Sequence, residues 1–199
     1  MFDRRLALAM MAPVTALSLS GCGINSVPAA QEVAKAKWAD VQANYQRRSD
    51  LIPNLVATVQ GAAASERQIL TEVTNARAGA QQVTLSADQL TDPAAIARYQ
   101  AAQGQVTTSL NRLVALQEQY PQLQSQGRFA DLQSQLEGTE NRITVSIRDY
   151  NEAVRAYNTT IRTFPDAIGA RLIHGAQPMQ PYQAVTPGAN IAPKVNFGQ

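Results

Sequence analysis

Residues 38–78, WADVQANYQRRSDLIPNLVATVQGAAASERQILTEVTNARA, decide the fold class. Steps of three and four from the first residue land on Trp38, Val41, Tyr45, Arg48, Ile52, Leu55, Val59, Ala62, Glu66, Ile69, Val73 and Ala76, then on Ala80 and Val83. Every position is apolar or aromatic except Arg48 and Glu66. Side chains spaced in this way share one face of an α-helix, so the stretch from about 31 to 82 reads as amphipathic helix with a coiled-coil-like stripe. Pro53 lacks an N–H and its ring clashes with the preceding turn, which predicts a kink or break near Asp50-Leu51-Ile52. Asp50 is alternatively the cap of a new helix starting near Pro53.

Two more long helices follow. Thr91-Asp92-Pro93 is a helix start, and Ile96, Tyr99, Val106, Leu110, Leu113 and Leu116 point inward before Tyr120-Pro121 ends the pattern. Gly127 closes a loop. A third helix over about 128–163 carries Phe129, Leu132, Leu136, Glu140, Ile143, Ile147, Tyr150, Val154, Tyr157, Ile161 and Phe164, with only Glu140 breaking the series. Beyond it the periodicity stops and Pro165, Pro178, Pro181, Pro187 and Pro193 accumulate, so an extended or disordered tail is expected, with a short helix near 166–173. Short connections force antiparallel neighbours. The predicted fold is therefore all-α: an elongated antiparallel up-and-down bundle of three to four long helices with a Pro-rich extended C-terminal tail. The first stretch is nearly twice as long as the second helix. Either its N-terminal half projects as a stalk, or it folds at Pro53 and supplies a fourth helix. A stalk would expose the stripe of Trp38, Val41 and Tyr45, and large exposed apolar stripes mark partners.

The chain has 199 residues, Lys plus Arg 17 against Asp plus Glu 15, one Cys and one His. That suffices for one domain with a sizeable core. A net charge of +2 makes no electrostatic case for nucleic acid. One cysteine excludes an internal disulfide. One histidine, His174, excludes a His-based metal site, and any Ser–His–Asp or Cys–His catalysis would have to pass through that tail residue. No cofactor is expected.

The N-terminus reads as an address. Arg4 and Arg5 precede an uncharged, mainly apolar run at 6–19, too short to span a bilayer comfortably but suited to a secretory signal. It ends in Leu19-Ser20-Gly21-Cys22, which resembles a bacterial lipobox. The resemblance implies cleavage before Cys22, diacylglycerol on its thiol and acylation, palmitate being typical, of the new N-terminus. The expected organisation is a signal peptide at 1–21, a lipidated polar tether at 22–30, the bundle at 31–164 and the tail at 165–199. Gly23 favours the outer membrane in a Gram-negative host, with the body facing the periplasm.

Polar residues at core positions supply the remaining candidates. A buried charge must be paired, and matching helix ends places Arg112 between Glu66 and Glu140; with Arg48 these form an expected structural polar layer rather than a catalytic or metal pair. Tyr150-Asn151 and Tyr157-Asn158 repeat at seven residues on one face, as tyrosines buried with a hydroxyl partner or as a ligand groove. Trp38, Tyr45, Arg48 and Asp50, near the proline, are the candidate partner-binding residues.

The blocks at 38–78, at 110–136 with Glu118, Tyr120, Pro121 and Leu123, and at 136–165 (LEGTENRITVSIRDYNEAVRAYNTTIRTFP) resemble the LemA family of bacterial membrane-anchored helical proteins, as does the closing Pro193-Lys194-Val195-Asn196-Phe197. The chain is also similar to the magnetosome-membrane relatives of that family. The resemblance implies an antiparallel bundle, a membrane anchor and no established enzymatic activity. It therefore points to a non-enzymatic scaffold of the cell envelope that self-associates or contacts other envelope proteins, or alternatively to a periplasmic adapter or sensor binding a partner or ligand at the bundle.

Overall fold

The computed structural model describes the backbone of residues 4–124 and 127–183 and the side chains of residues 25–123 and 127–183. Cys22 and the rest of the lipidation motif lie outside the described side chains. Among the described residues all regular structure is helical: α1 (Arg4–Ala62), α2 (Arg67–Gln82), α3 (Pro93–Ala115), α4 (Pro121–Gln124), α5 (Gly127–Thr160) and α6 (Asp166–Leu172). α1 packs chiefly along α5, α2 along α3, and α6 against the first part of α1. The core falls into two apolar clusters, one around Trp38, Tyr99, Tyr150 and Tyr182, the other around Ile52, Val59, Leu113 and Phe129.

The expected break at Pro53 is not there. α1 runs through it, and the chain turns instead at residues 63–66. Proline at 53 removes the N–H that would have bonded the Ser49 carbonyl one turn earlier. Arg77 of α2 supplies the replacement, its Nε donating to Ser49 O at 2.9 Å. With that carbonyl satisfied, the helix has no need to end. The turn at 63–66 follows Gly61 and a run of alanines, and the end of α1 is held from outside: Gln122 Nε2 donates to Ala62 O, and the Tyr120 hydroxyl donates to Glu66. The turn also resets the helical register, so Ala63 and Leu70 are buried where Ala62 and Ile69 were expected to be, these two being half-buried.

Other starts and stops follow local chemistry. Asp92 caps α3, accepting from Ala94 N at 2.8 Å, with Pro93 in the first turn. The loop from α2 to α3 is pinned to α1, because Trp38 Nε1 and Gln42 Nε2 both donate to Leu85 O. The expected tether is helical over residues 25–30, continuous with α1; Val27 is buried there, and the Ser26 hydroxyl donates to Asp166 at 2.8 Å. Phe164, expected inward, is 76% exposed because α5 has already ended at Thr160.

Candidate functional site

The Tyr–Asn repeat of α5 grips the chain's own C-terminal segment. Residues 173–183, expected as part of an extended or disordered tail, run back along α5 with Met179 and Tyr182 buried in the core. The short helix expected near 166–173 is α6. After it, Gly175 adopts φ +54°, a left-handed conformation open to glycine, and Ala176 N donates to Ala170 O to close the turn. The strap that follows is read twice by the same device. Asn158 donates from Nδ2 to Met179 O and accepts from Met179 N, at 2.8 and 2.9 Å. Asn151 does the same to Tyr182, at 2.8 Å both ways. The Tyr157 hydroxyl donates to Gln177 O and the Tyr150 hydroxyl to Gln180 O.

The register has a simple physical basis. Seven residues of helix advance about 10.5 Å, and three residues of extended chain advance about 9–10 Å. A heptad of Tyr-Asn therefore matches a three-residue repeat, and the strap has one: Pro178-Met179-Gln180, then Pro181-Tyr182-Gln183. Each proline needs no N–H partner. The N–H of Met179 and Tyr182 goes to an asparagine, and that of Gln180 donates to Leu90 O at 2.8 Å. Every backbone N–H between 178 and 182 is thus satisfied. The strap was missed from sequence because its two tripeptides show no hydrophobic period of helix or strand; the PMQPYQ repeat beside the YN heptad was the available signal.

Tyr182 completes an aromatic cluster. Trp38 meets Tyr99, Tyr150 and Tyr182 with ring centroids at 5.4, 5.3 and 5.8 Å, and the Tyr45 and Tyr182 hydroxyls share a 2.8 Å hydrogen bond. Burial pushes Tyr99, Tyr150 and Tyr182 well above the ordinary tyrosine value of 10.0. It also raises Tyr45 and Tyr157; at Tyr45 the hydrogen bond from Tyr182 and the nearby Arg48 act in the opposite direction.

Beneath the cluster lies Arg48, only 1% exposed. Its Nη1 donates to Glu140 at 3.0 Å and Thr107 at 2.9 Å, its Nη2 to the Gln103 side chain at 2.7 Å, and the guanidinium sits 4.9 Å from the centre of the Tyr45 ring. The two residues that broke the stripes of α1 and α5 are therefore each other's partners. Arg112 is not between the carboxylates: it is exposed and pairs with Glu72 at 3.0 Å, while Glu66 stands at the α1–α2 turn bonded to Tyr120. Helix-end matching misplaced it because α1 ends at Ala62 and sets Arg48 opposite Glu140, which leaves Glu66 at the turn beyond. Gln68 and then Arg112 hold the Glu72 carboxyl below its usual range.

Trp38, Tyr45 and Arg48 form no exposed stripe: Tyr99, Tyr150 and Tyr182 pack on the two rings, and Gln103, Thr107 and Glu140 enclose the guanidinium. Asp50 is exposed and accepts from Gln46. One open groove, of about 600 Å³, lies between α3 and α5 and is lined by Tyr45 and Arg48 of α1, by Gln103, Thr107 and Asn111 of α3, by Thr144 of α5, and by Tyr182. Among the described residues no cluster of three or more His, Cys, Asp or Glu is placed to hold a metal, and no helix is long and apolar enough to cross a membrane.

Fold and site define an all-helical protein whose core seats an extended segment of its own chain through backbone-reading asparagines. A model of the LemA family matches residues 37–197, and the chain belongs to that family. Among curated proteins it is similar to Magnetosome protein MamQ 1 and MamQ 2 of Paramagnetospirillum magneticum, each 27% identical over 157 residues, covering 71% of this chain and 58% of theirs. Magnetosome protein MamQ of Magnetospirillum gryphiswaldense is 25% identical over 176 residues, covering 80% of this chain and 65% of its own. The chain thus spans about three-fifths of the length of these relatives.

Proposed function

We propose that this protein is a non-enzymatic, lipid-anchored helical scaffold of a bacterial cell envelope, tethered through Cys22, facing the periplasm and acting by contact with other proteins. The body is read as an elongated antiparallel bundle; the pairings Trp38–Tyr150 and Arg48–Glu140 run in opposite order along α1 and α5, in keeping with that. Family membership and the magnetosome proteins among the relatives support attachment to a membrane. The motif Leu19-Ser20-Gly21-Cys22, fifteen residues ahead of the family match at 37, supports a lipid as the means, and Gly23 favours the outer membrane.

The observation that carries the contact function is the groove between α3 and α5. It prolongs the seat of the strap, is rich in amide and hydroxyl groups, and is open. A surface of that chemistry suits an extended polypeptide, which favours the adapter form of the reading alongside self-association. Photo-crosslinkers at Thr144 and Asn111 in living cells are expected to yield discrete adducts. A second copy of the chain would identify a self-assembling scaffold, and one foreign envelope protein an adapter. Adducts from other faces but none from the groove would overturn this assignment. Labelling with a clickable fatty acid is expected in wild type and absent in Cys22→Ser; equal labelling would remove the anchor.

A further inference from the structure

Six large hydrophobic residues are exposed among the described residues, and four of them lie within ten positions: Phe164 at 76%, Ile168 at 54%, Leu172 at 81% and Ile173 at 60%. Ile168 and Leu172 stand one turn apart on α6, with Phe164 just before it and Ile173 just after. The opposite face of α6 is small and buried: Gly169 and Ala170 fit against the cluster containing Val27 and Ala34. This short helix therefore turns its bulky apolar side outward, the reverse of a helix closing a core. Isolated exposed hydrophobes are ordinary, but a contiguous group marks a contact surface.

Its position says what it contacts. α6 is fastened to α1 by the Ser26–Asp166 hydrogen bond, and Ser26 is one helical turn, about 6 Å of rise, from Cys22. Any attachment at Cys22 puts this patch beside the bilayer. Arg162 and Arg171 flank it, both exposed and absent from the ion pairs among the described residues, and the only acidic residue between 161 and 183 is Asp166, already bonded to Ser26. Apolar side chains flanked by arginine suit the boundary between acyl chains and anionic headgroups.

We infer that Phe164, Ile168, Leu172 and Ile173 form a membrane-contact surface that inserts into the interfacial layer of a phospholipid bilayer, with Arg162 and Arg171 at the headgroups. It rests on the proposed anchor and adds a second point of contact, which fixes how the helical body stands on the membrane.

The test uses the full chain purified from membranes and reconstituted into phosphatidylcholine vesicles with and without phosphatidylglycerol. A thioether at Cys22 leaves no free thiol, so a maleimide dye that labels the wild-type chain overturns the anchor alone, and the measurement then proceeds in Cys22→Ser. The dye is placed by Leu172→Cys, or by Arg142→Cys as a control about 27 Å along α5 from Thr160. At 172 its emission is expected to shift to the blue and to be quenched several-fold more by spin-labelled lipid than at 142, more strongly with phosphatidylglycerol. Adding Phe164→Asn and Ile168→Asn, both at exposed positions, is expected to abolish the difference. Equal, water-like emission at 172 and 142 on vesicle-bound protein overturns the proposal. So does a blue shift that appears without vesicles and grows with protein concentration, which would assign the surface to a second copy.

Discussion

Asn151 and Asn158 are each asked to present both halves of an amide to a backbone, so their chemistry is tightly specified. Aspartate can accept but not donate, and it would meet the Met179 or Tyr182 carbonyl with like polarity. Asn158→Asp is expected to destabilise the fold by about 1–3 kcal/mol, the scale of leaving a half-buried polar group unpaired, and Asn151→Asp by a similar amount; urea unfolding followed through Trp38 emission measures both. Arg48 is the other residue whose type is fixed. Its hydrogen bonds fan out to Glu140, Thr107 and Gln103, a pattern a lysine ammonium cannot reproduce. Arg48→Ala opens a hole in the core and leaves Gln103 and Thr107 without their buried donor, with an expected loss of about 2–5 kcal/mol, and Arg48→Lys should recover only part of it. Glu140→Gln keeps an acceptor but leaves the buried Arg48 guanidinium without its counter-charge, so Glu66→Gln with Glu140→Gln should lower the unfolding midpoint rather than alter any turnover.

At the scale of the element, α1 is long because α2 repairs it. Pro53 frees the Ser49 carbonyl, and Arg77 takes it up. The two residues are coupled through one acceptor, so a double-mutant cycle should detect them. Arg77→Ala is expected to cost about 1 kcal/mol in the wild-type chain. In a Pro53→Ala background the restored N–H at 53 bonds Ser49, and the cost of Arg77→Ala should largely vanish. Equal losses in both backgrounds would mean that Arg77 stabilises through something else. The same logic explains where α1 does end: past Gly61 the alanines offer little to bury, and Gln122 waits to cap Ala62.

Over the whole molecule the dominant interior feature is the set of neutral tyrosines joining α1, α3, α5 and the strap. Their folded-state values lie above the ordinary 10.0, so in the unfolded chain they ionise first. The stability they give is complete below about pH 10 and falls as pH rises beyond it, because only the unfolded state releases those protons. Stability against urea should therefore be flat from neutrality to about pH 9 and drop steeply above pH 10. The tyrosinate absorbance contributed by Tyr45, Tyr99, Tyr150 and Tyr182 should rise together with loss of helical circular dichroism, in one transition.

Periodicity and capping residues in the sequence determined the helical class, the α3 start at Asp92-Pro93, the inward face of Tyr99, Tyr150 and Tyr157, and the presence of Arg48 and Glu140 where hydrophobes belong. These follow from contacts within one helix, whose spacing is written along the chain. Tertiary structure decided which charges meet, where the first helix turns, and what the Tyr–Asn face holds. Arg48 finds Glu140 across 92 residues, Arg77 rescues Ser49 from another helix, and Asn151 binds Tyr182 from a tail with no period of its own. Hydrogen bonds of that kind depend on which surfaces are brought within about 3 Å of one another, and local spacing carries no record of it.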